Sequence, residues 1–421
     1  MRASTDRILT THTGSLHRPA DLEELFRKKL AGEPYDEAAF EARLRSSVAE
    51  VVRKQCDVGI DVIDDGEFSK IDFFNYAKHR LDGVEAQPLG ARENKYYNPK
   101  MQSVMASAAM RQRFAQFYAD TEPREGSVSA GSVIQLYMPA GTAVEKPAIH
   151  VVTGPLRYKK QEVQRDIDNL KAALKGVAPA EVFMPVVAPS MLTTRHVNEY
   201  YKTEEDYYFA VADALHDEYQ TIVDAGFLIQ IDDVSLPGRY RIQVPAEGKD
   251  AFKKWIRLAV AALNHALKGI PAEKVRYHMC WSSQNTPHTD DPPLEEMVDD
   301  IIQINAQGFQ LEAANVRHGH EWQVWKDTKL PDDRILMPGV ICHATNVIEH
   351  PRYVAELILK YASVVGRERV IAATDCGFRW RVHPEIAWAK LDALVEGARV
   401  ASRELWASSK SGAKAKSAGR R

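Results

Sequence analysis

His278 and Cys280 stand with one residue between them, and Glu312 and Cys376 follow at the ends of later strand-like runs. On an extended strand, residues two apart share a face, so the first pair can reach one metal ion without a turn. A structural finger draws its ligands in close pairs from one short segment. These four are instead spread far along the chain, so they need a preformed scaffold to meet. Ligands of that kind suit a single Zn2+ site serving chemistry.

The scaffold is legible as short runs rich in Val, Ile and Phe alternating with longer helical patterns, the sign of repeated βα units. Run 60–63 leads into Asp64-Asp65-Gly66-Glu67, 228–231 into Asp232-Asp233, and 275–277 into His278; 309–311 reaches Glu312, and 370–374 reaches Asp375-Cys376. Further runs at 8–11, 149–152, 182–187 and 335–341 bring the candidates to nine for eight barrel places. One, taken here as the first, is then a cap or hairpin piece. Three- and four-residue apolar spacing predicts helices over 206–225 and 251–267, packed outside the strands. Ionisable groups at the carboxyl ends of several strands converge on one mouth. The expected fold is therefore α/β, a (β/α)8 TIM barrel.

Residues 83–135 break the pattern, with 94–99 reading as loop and 110–119 as an added helix, and are read as an insertion near the mouth. The stretch 408–421, rich in Ser, Lys, Ala and Gly, is expected as a disordered basic tail. Residues 1–407 then form a single zinc-binding barrel. Of the 421 residues, 45% are hydrophobic and 27% charged, as in soluble enzymes, and the net charge of −3 argues against a nucleic-acid partner. With no apolar run of membrane-spanning length and no signal-type start, no membrane partner and a cytoplasmic location are expected. Four cysteines make no disulfide framework; Cys56 reads as a packed core thiol and Cys342 stays open. The stretch Arg317-His318-Gly319-His320 reads as loop rather than as a metal tract.

Six segments in order resemble the catalytic domain of cobalamin-independent methionine synthase and its thiol-alkylating relatives. They are Thr10-Thr11-His12-Thr13-Gly14-Ser15, the opening segment; Gly59-Ile60-Asp61-Val62 with Gly66-Glu67, the second strand and acidic loop; Gln230-Ile231-Asp232-Asp233, the fifth-strand signature; His278-Met279-Cys280; Gln310-Leu311-Glu312-Ala313; and Asp375-Cys376-Gly377. The resemblance implies a barrel whose zinc, held by His278, Cys280, Glu312 and Cys376, binds a substrate thiol for alkylation. Two cysteinates and a glutamate would leave the site net anionic, which suits nucleophilic sulfur. It also implies homocysteine contacts at Ser15, Glu67 and Asp232, the acids holding an ammonium group and Ser15 a carboxylate.

The chain departs from that pattern in places. Asp233-Val234 stands where methionine synthases continue Glu-Pro, and His343, in the eighth-strand loop 338–346, falls slightly off the place of a histidine that contacts the amino acid. A core-only member is expected, without the duplicated N-terminal barrel of the large folate-type enzymes. Gly66-Glu67-Phe68-Ser69-Lys70 and Val347-Ile348-Glu349-His350-Pro351 also resemble the epoxyalkane:coenzyme M transferase branch, in which the thiol opens an epoxide. A sulfonate needs a cation, which Arg379 or Arg381 could supply. The first expectation is a zinc-dependent S-methyltransferase taking a methyl group from a methyl-folate-type donor to homocysteine or a related thiol. The alternatives are thiol addition to an epoxide and a non-catalytic barrel that keeps zinc for stability. The partners are thus a small-molecule thiol and a methyl or alkyl donor, with the oligomeric state open.

Overall fold

The structure is a computed structural model that describes residues 1–73, 75–88, 91, 107–121, 148–281 and 286–418. Eight strands make the central sheet: β1 Leu9–Thr10, β2 Val62–Ile63, β3 Glu181–Val187, β4 Leu228–Asp232, β5 Val275–Met279, β6 Gly308–Glu312, β7 Ile335–Ile341 and β8 Ile371–Thr374. Their neighbours run β1-β8-β7-β6-β5-β4-β3-β2, all parallel. A parallel bridge between Thr11 and Val62 joins the two ends and closes the ring. Every residue of β4, β5 and β6 is buried, as strands must be when helices cover one face and side chains fill the other.

The surplus ninth run is not the first. Leu9–Thr10 pairs with Ile371 and Ala372 inside the barrel, whereas the run at 149–152 opens the strand Ile149–Tyr158 of a separate sheet with Leu81–Gln87 and Val197–Asn198. That strand exposes several of its positions toward its far end, the pattern of a one-faced antiparallel partner rather than of a doubly covered parallel strand. Removing it lowers every later ordinal by one. The segment 230–233 accordingly ends the fourth barrel strand, and the loop 338–346 belongs to the seventh.

The expected helices are Glu204–Asp224, whose first turn holds three acids and is capped by Thr203 Oγ1 accepting from Asp206 N at 3.0 Å, and Lys249–Ala266. Part of the insertion lies outside the described residues. Its expected helix is two, Ala108–Arg113 and Ala115–Thr121, broken at Phe114. Ser107 N donates to Asp290 Oδ2 at 2.9 Å, which ties this piece to the loop after β5. The last helix is Pro384–Ala418, so the start of the expected tail falls on its end, and 419–421 lie outside the described residues. Among the described residues no helix is long and apolar enough to cross a membrane.

Below the mouth the barrel is plugged by polar side chains. Arg276 Nη1 donates to Thr11 Oγ1 at 2.8 Å, and its Nη2 donates to His12 O at 3.0 Å and Gln310 Oε1 at 2.6 Å. Gln310 Nε2 reaches Thr13 Oγ1 and Thr374 O, both at 2.7 Å, and Gln230 Nε2 donates to Thr13 O. Each of Gln230, Arg276 and Gln310 lies two positions before a mouth residue: Asp232, His278 and Glu312. Period-two geometry therefore aims all six at the barrel axis, in two stacked layers.

Candidate metal centre

His278, at the end of β5, and Cys280, just beyond it, share a face as their spacing requires. Cys376 follows β8 by two residues. Ligand atoms of the three lie within 4.8 Å of one another, and the sulfurs of Cys280 and Cys376 are 3.6 Å apart. One imidazole and two thiols on rigid strand ends make a donor set that fits a soft or borderline metal ion. Glu312 is not in that group. Its Oε1 accepts from Trp281 N at 2.7 Å and its Oε2 from Asn315 Nδ2 at 2.8 Å, although it is near enough to oppose ionisation of Cys376. Contact with Cys280 outweighs burial and, with the charges of His278 and Arg381, holds the Cys376 thiol down at about 7.

Asp232 serves the histidine directly. Its Oδ1 is 2.9 Å from His278 Nδ1 and accepts from Gln230 Nε2 at 2.8 Å, which fixes the ring's orientation. Burial pulls the His278 pKa down, but this hydrogen bond and the Asp232 charge outweigh it and raise it overall. Asp233 points the other way, accepting from Ser190 Oγ at 2.8 Å and Ser235 N at 2.9 Å, with burial pushing it up to about 6.

Three loops are laced together beside the sulfurs. Ser15 O accepts from Phe378 N at 2.9 Å and Arg379 N at 3.2 Å, and Leu16 N donates to Gly66 O at 3.2 Å. Half-buried Ser15 thus sits against the Cys376 loop on one side and the Glu67 loop on the other. Glu67 is buried, with φ +58, a left-handed conformation kept by a non-glycine residue only where its surroundings over-determine it. Burial pushes its carboxyl up to about 8 against the pull of Lys70, with Asp232 and Asp65 adding to the rise.

Several residues named in the sequence take on contacts that spacing alone does not give. Asp375 is fully buried, and its Oδ1 accepts from Ala313 N at 2.8 Å and Ala314 N at 3.0 Å, pinning the chain after Glu312 to the chain before Cys376. Gly339 lets it in, since a Cβ there would lie 2.5 Å from Asp375 Oδ1. His343 is fully buried with neither ring nitrogen hydrogen-bonded, and burial, with Arg381 and His278 nearby, holds it well below the usual imidazole range. His318 does lie in a loop, as expected, yet it is buried, stacked on Trp281 at 3.9 Å and bound to Asp291 Oδ2 at 2.8 Å. A usable signal for the inner layer was the lone polar residue recurring at period two inside apolar strands. Nothing local reveals that His318 stacks on Trp281 or that Asp375 binds the chain after Glu312.

Residues 8–177 and 155–400 match the family model described as cobalamin-independent synthase, catalytic domain. The chain belongs to that family. Among its relatives, the methionine synthase of Sulfolobus acidocaldarius is 24% identical over 397 residues, covering 94% of this chain and 93% of that one. That of Thermococcus kodakarensis is 25% identical over 398 residues, with 94% of each chain covered. The B12-independent methionine synthase of Shewanella sp. W3-18-1, solved in complex with selenomethionine, superposes with a TM-score of 0.67 at 19% identity, over 95% of this chain and 99% of that chain. The shared fold places cobalamin-independent synthases and this chain on one barrel, with His278, Cys280 and Cys376 at its mouth.

Proposed function

We propose that this chain is a zinc-dependent thiol S-methyltransferase that moves a methyl group from a methyl-folate-type donor to homocysteine or a related amino-acid thiol. The observation that carries this reading is the convergence of His278, Cys280 and Cys376 at the mouth of a barrel from the methionine-synthase family. These three would hold the zinc, with Glu312 one strand away as a fourth donor once it leaves Trp281 N. When bound, zinc supplies the loss of the thiol proton at neutral pH, which leaves sulfur nucleophilic.

The chain's own groups do the rest. Asp232 orients His278, and Asp375 ties the Glu312 and Cys376 ends together. Buried Glu67 offers an acid suited to an ammonium group, Ser15 lies on the loop beside it, and His343 brings a neutral imidazole. Of the two cations a sulfonate could use, Arg379 is already engaged: it is buried, hydrogen-bonds Ile71 O at 3.0 Å and is paired with Glu23 at 3.3 Å.

The test is product identity. Zinc-loaded protein is incubated with homocysteine or coenzyme M, each against methyl-folate and a small epoxide. Methionine from the homocysteine and methyl-folate pair is expected; a thioether from coenzyme M and the epoxide alone would overturn the reading.

A further inference from the structure

One carboxylate outside the mouth ties three of its loops together. Glu23, on the helix Ala20–Ala31, accepts from Arg18 Nη1 at 3.1 Å through Oε2 and from Arg379 Nη2 at 3.3 Å through either oxygen. Arg18 comes from the loop after β1, three residues past Ser15, and Arg379 from the loop after β8, three residues past Cys376. Both guanidiniums are buried, one over the ring of Phe26 at 3.9 Å and the other over that of Trp380 at 4.1 Å.

Other N–H groups of the same two side chains turn to a third loop. Arg18 Nε donates to Phe68 O at 2.8 Å and its Nη2 to Lys70 O, while Arg379 Nη1 donates to Ile71 O at 3.0 Å and to Lys70 O at 3.3 Å. These carbonyls follow Glu67 directly, in a turn that no rigid element carries: β2 has ended at Ile63, and Gly66 and Glu67 both stand in the left-handed region, with φ +70 and +58. Within the turn, Lys70 N donates to Glu67 O at 3.1 Å and Glu67 N to Asp65 Oδ1 at 2.9 Å. Local bonds alone would let so strained a turn relax. Charged planar forks on the carbonyls of Phe68, Lys70 and Ile71 fix its direction as well as its distance.

We propose that Arg18, Glu23 and Arg379 are positioning residues that set the Glu67 turn against the Cys376 side of the site, and thereby set the affinity for an amino-acid thiol. The substrate class rests on the methyltransferase reading above. Arg18 and Arg379 hold the turn, and Glu23 holds both of them in register, so the loops carrying Ser15, Glu67 and Cys376 move as one block. Cys376 has further anchors in β8 and in the bonds of Asp375 to Ala313 and Ala314, so loosening the clamp frees the Glu67 turn and not the metal ligand. Glu67 would meet the substrate before and during methyl transfer alike. Loss of such uniform binding is read in KM rather than in kcat.

Arg379→Gln is the first variant to make, since it leaves Arg18 and Glu23 as a balanced pair; Glu23→Gln strands two buried cations and serves as the check. In zinc-loaded protein with homocysteine and methyl-folate, Arg379→Gln should raise KM for the thiol about tenfold, with kcat within about twofold and bound zinc unchanged. Hydrogen exchange followed by mass spectrometry should show the amides of 66–71 opening about tenfold faster, with those of the barrel strands unaltered. Glu23→Gln should move both readouts in the same direction. A fall in kcat at unchanged KM, a loss of zinc, or a lowered unfolding midpoint with KM and exchange at 66–71 unaltered overturns the positioning role. Unaltered protein that turns over only a sulfonate thiol overturns the methyltransferase reading instead, and exchange at 66–71 then decides the clamp by itself.

Discussion

The sulfurs of Cys280 and Cys376 lie 3.6 Å apart although 96 positions of sequence separate them. Neither residue makes a strand; each sits just past one, so the ring of parallel strands alone brings them together. Cys280→Ser and Cys376→Ser should each lose bound zinc and turnover while keeping the barrel. Metal analysis and far-ultraviolet circular dichroism check both halves of that expectation.

The same separation makes the pair sensitive to metal removal. Stripped of metal by a chelator and treated with hydrogen peroxide, the protein should join Cys280 to Cys376, with zinc-loaded protein protected. Thiol trapping and peptide mass spectrometry read the linkage. Equal oxidation of loaded and stripped protein would count against a shared ion.

Arg276→Met removes a buried guanidinium that holds Thr11, His12 and Gln310. Stranding those neutral acceptors should cost about 3–5 kcal/mol of stability in all, since each buried polar group left unsatisfied costs about 1–3 kcal/mol. Denaturant unfolding measures it. A loss below about 1 kcal/mol would mean that water replaces the contacts.

Glu67 gives a pH signature of its own. Its folded-state pKa, raised from 4.5 to about 8, means that the folded protein holds more protons than the unfolded chain between those values. Its contribution is therefore full below pH 4.5 and is lost as pH rises through 8. Glu67→Gln should flatten that decline in stability curves taken from pH 5 to 9. The same variant should weaken an amino-acid thiol much more than a sulfonate thiol.

Most of the barrel was legible because chemistry-bearing residues ended apolar runs, which is how β4, β5, β6 and β8 announced themselves. The strand Ile149–Tyr158 misled because its opening residues are as apolar as a barrel strand's, and only its pairing partner, far away in sequence, puts it outside. Of the metal set, His278, Cys280 and Cys376 came together. Glu312 reached the right strand end, but a side chain with several rotamers can turn to a backbone N–H that spacing does not reveal. Nothing in the sequence singles out Glu23; its place between Arg18 and Arg379 depends on loops that only the closed barrel brings together.

The polar plug of Gln230, Arg276 and Gln310 has a bearing on how such a barrel can be altered. An aliphatic filling lets neighbouring strands slide a little, because oily contacts are nearly indifferent to small shifts. A guanidinium on β5, bolted to Gln310 of β6 and to the chain just past β1 through directional bonds, does not. Anyone grafting new chemistry onto this rim would do well to redraw the loops and leave the bolt alone.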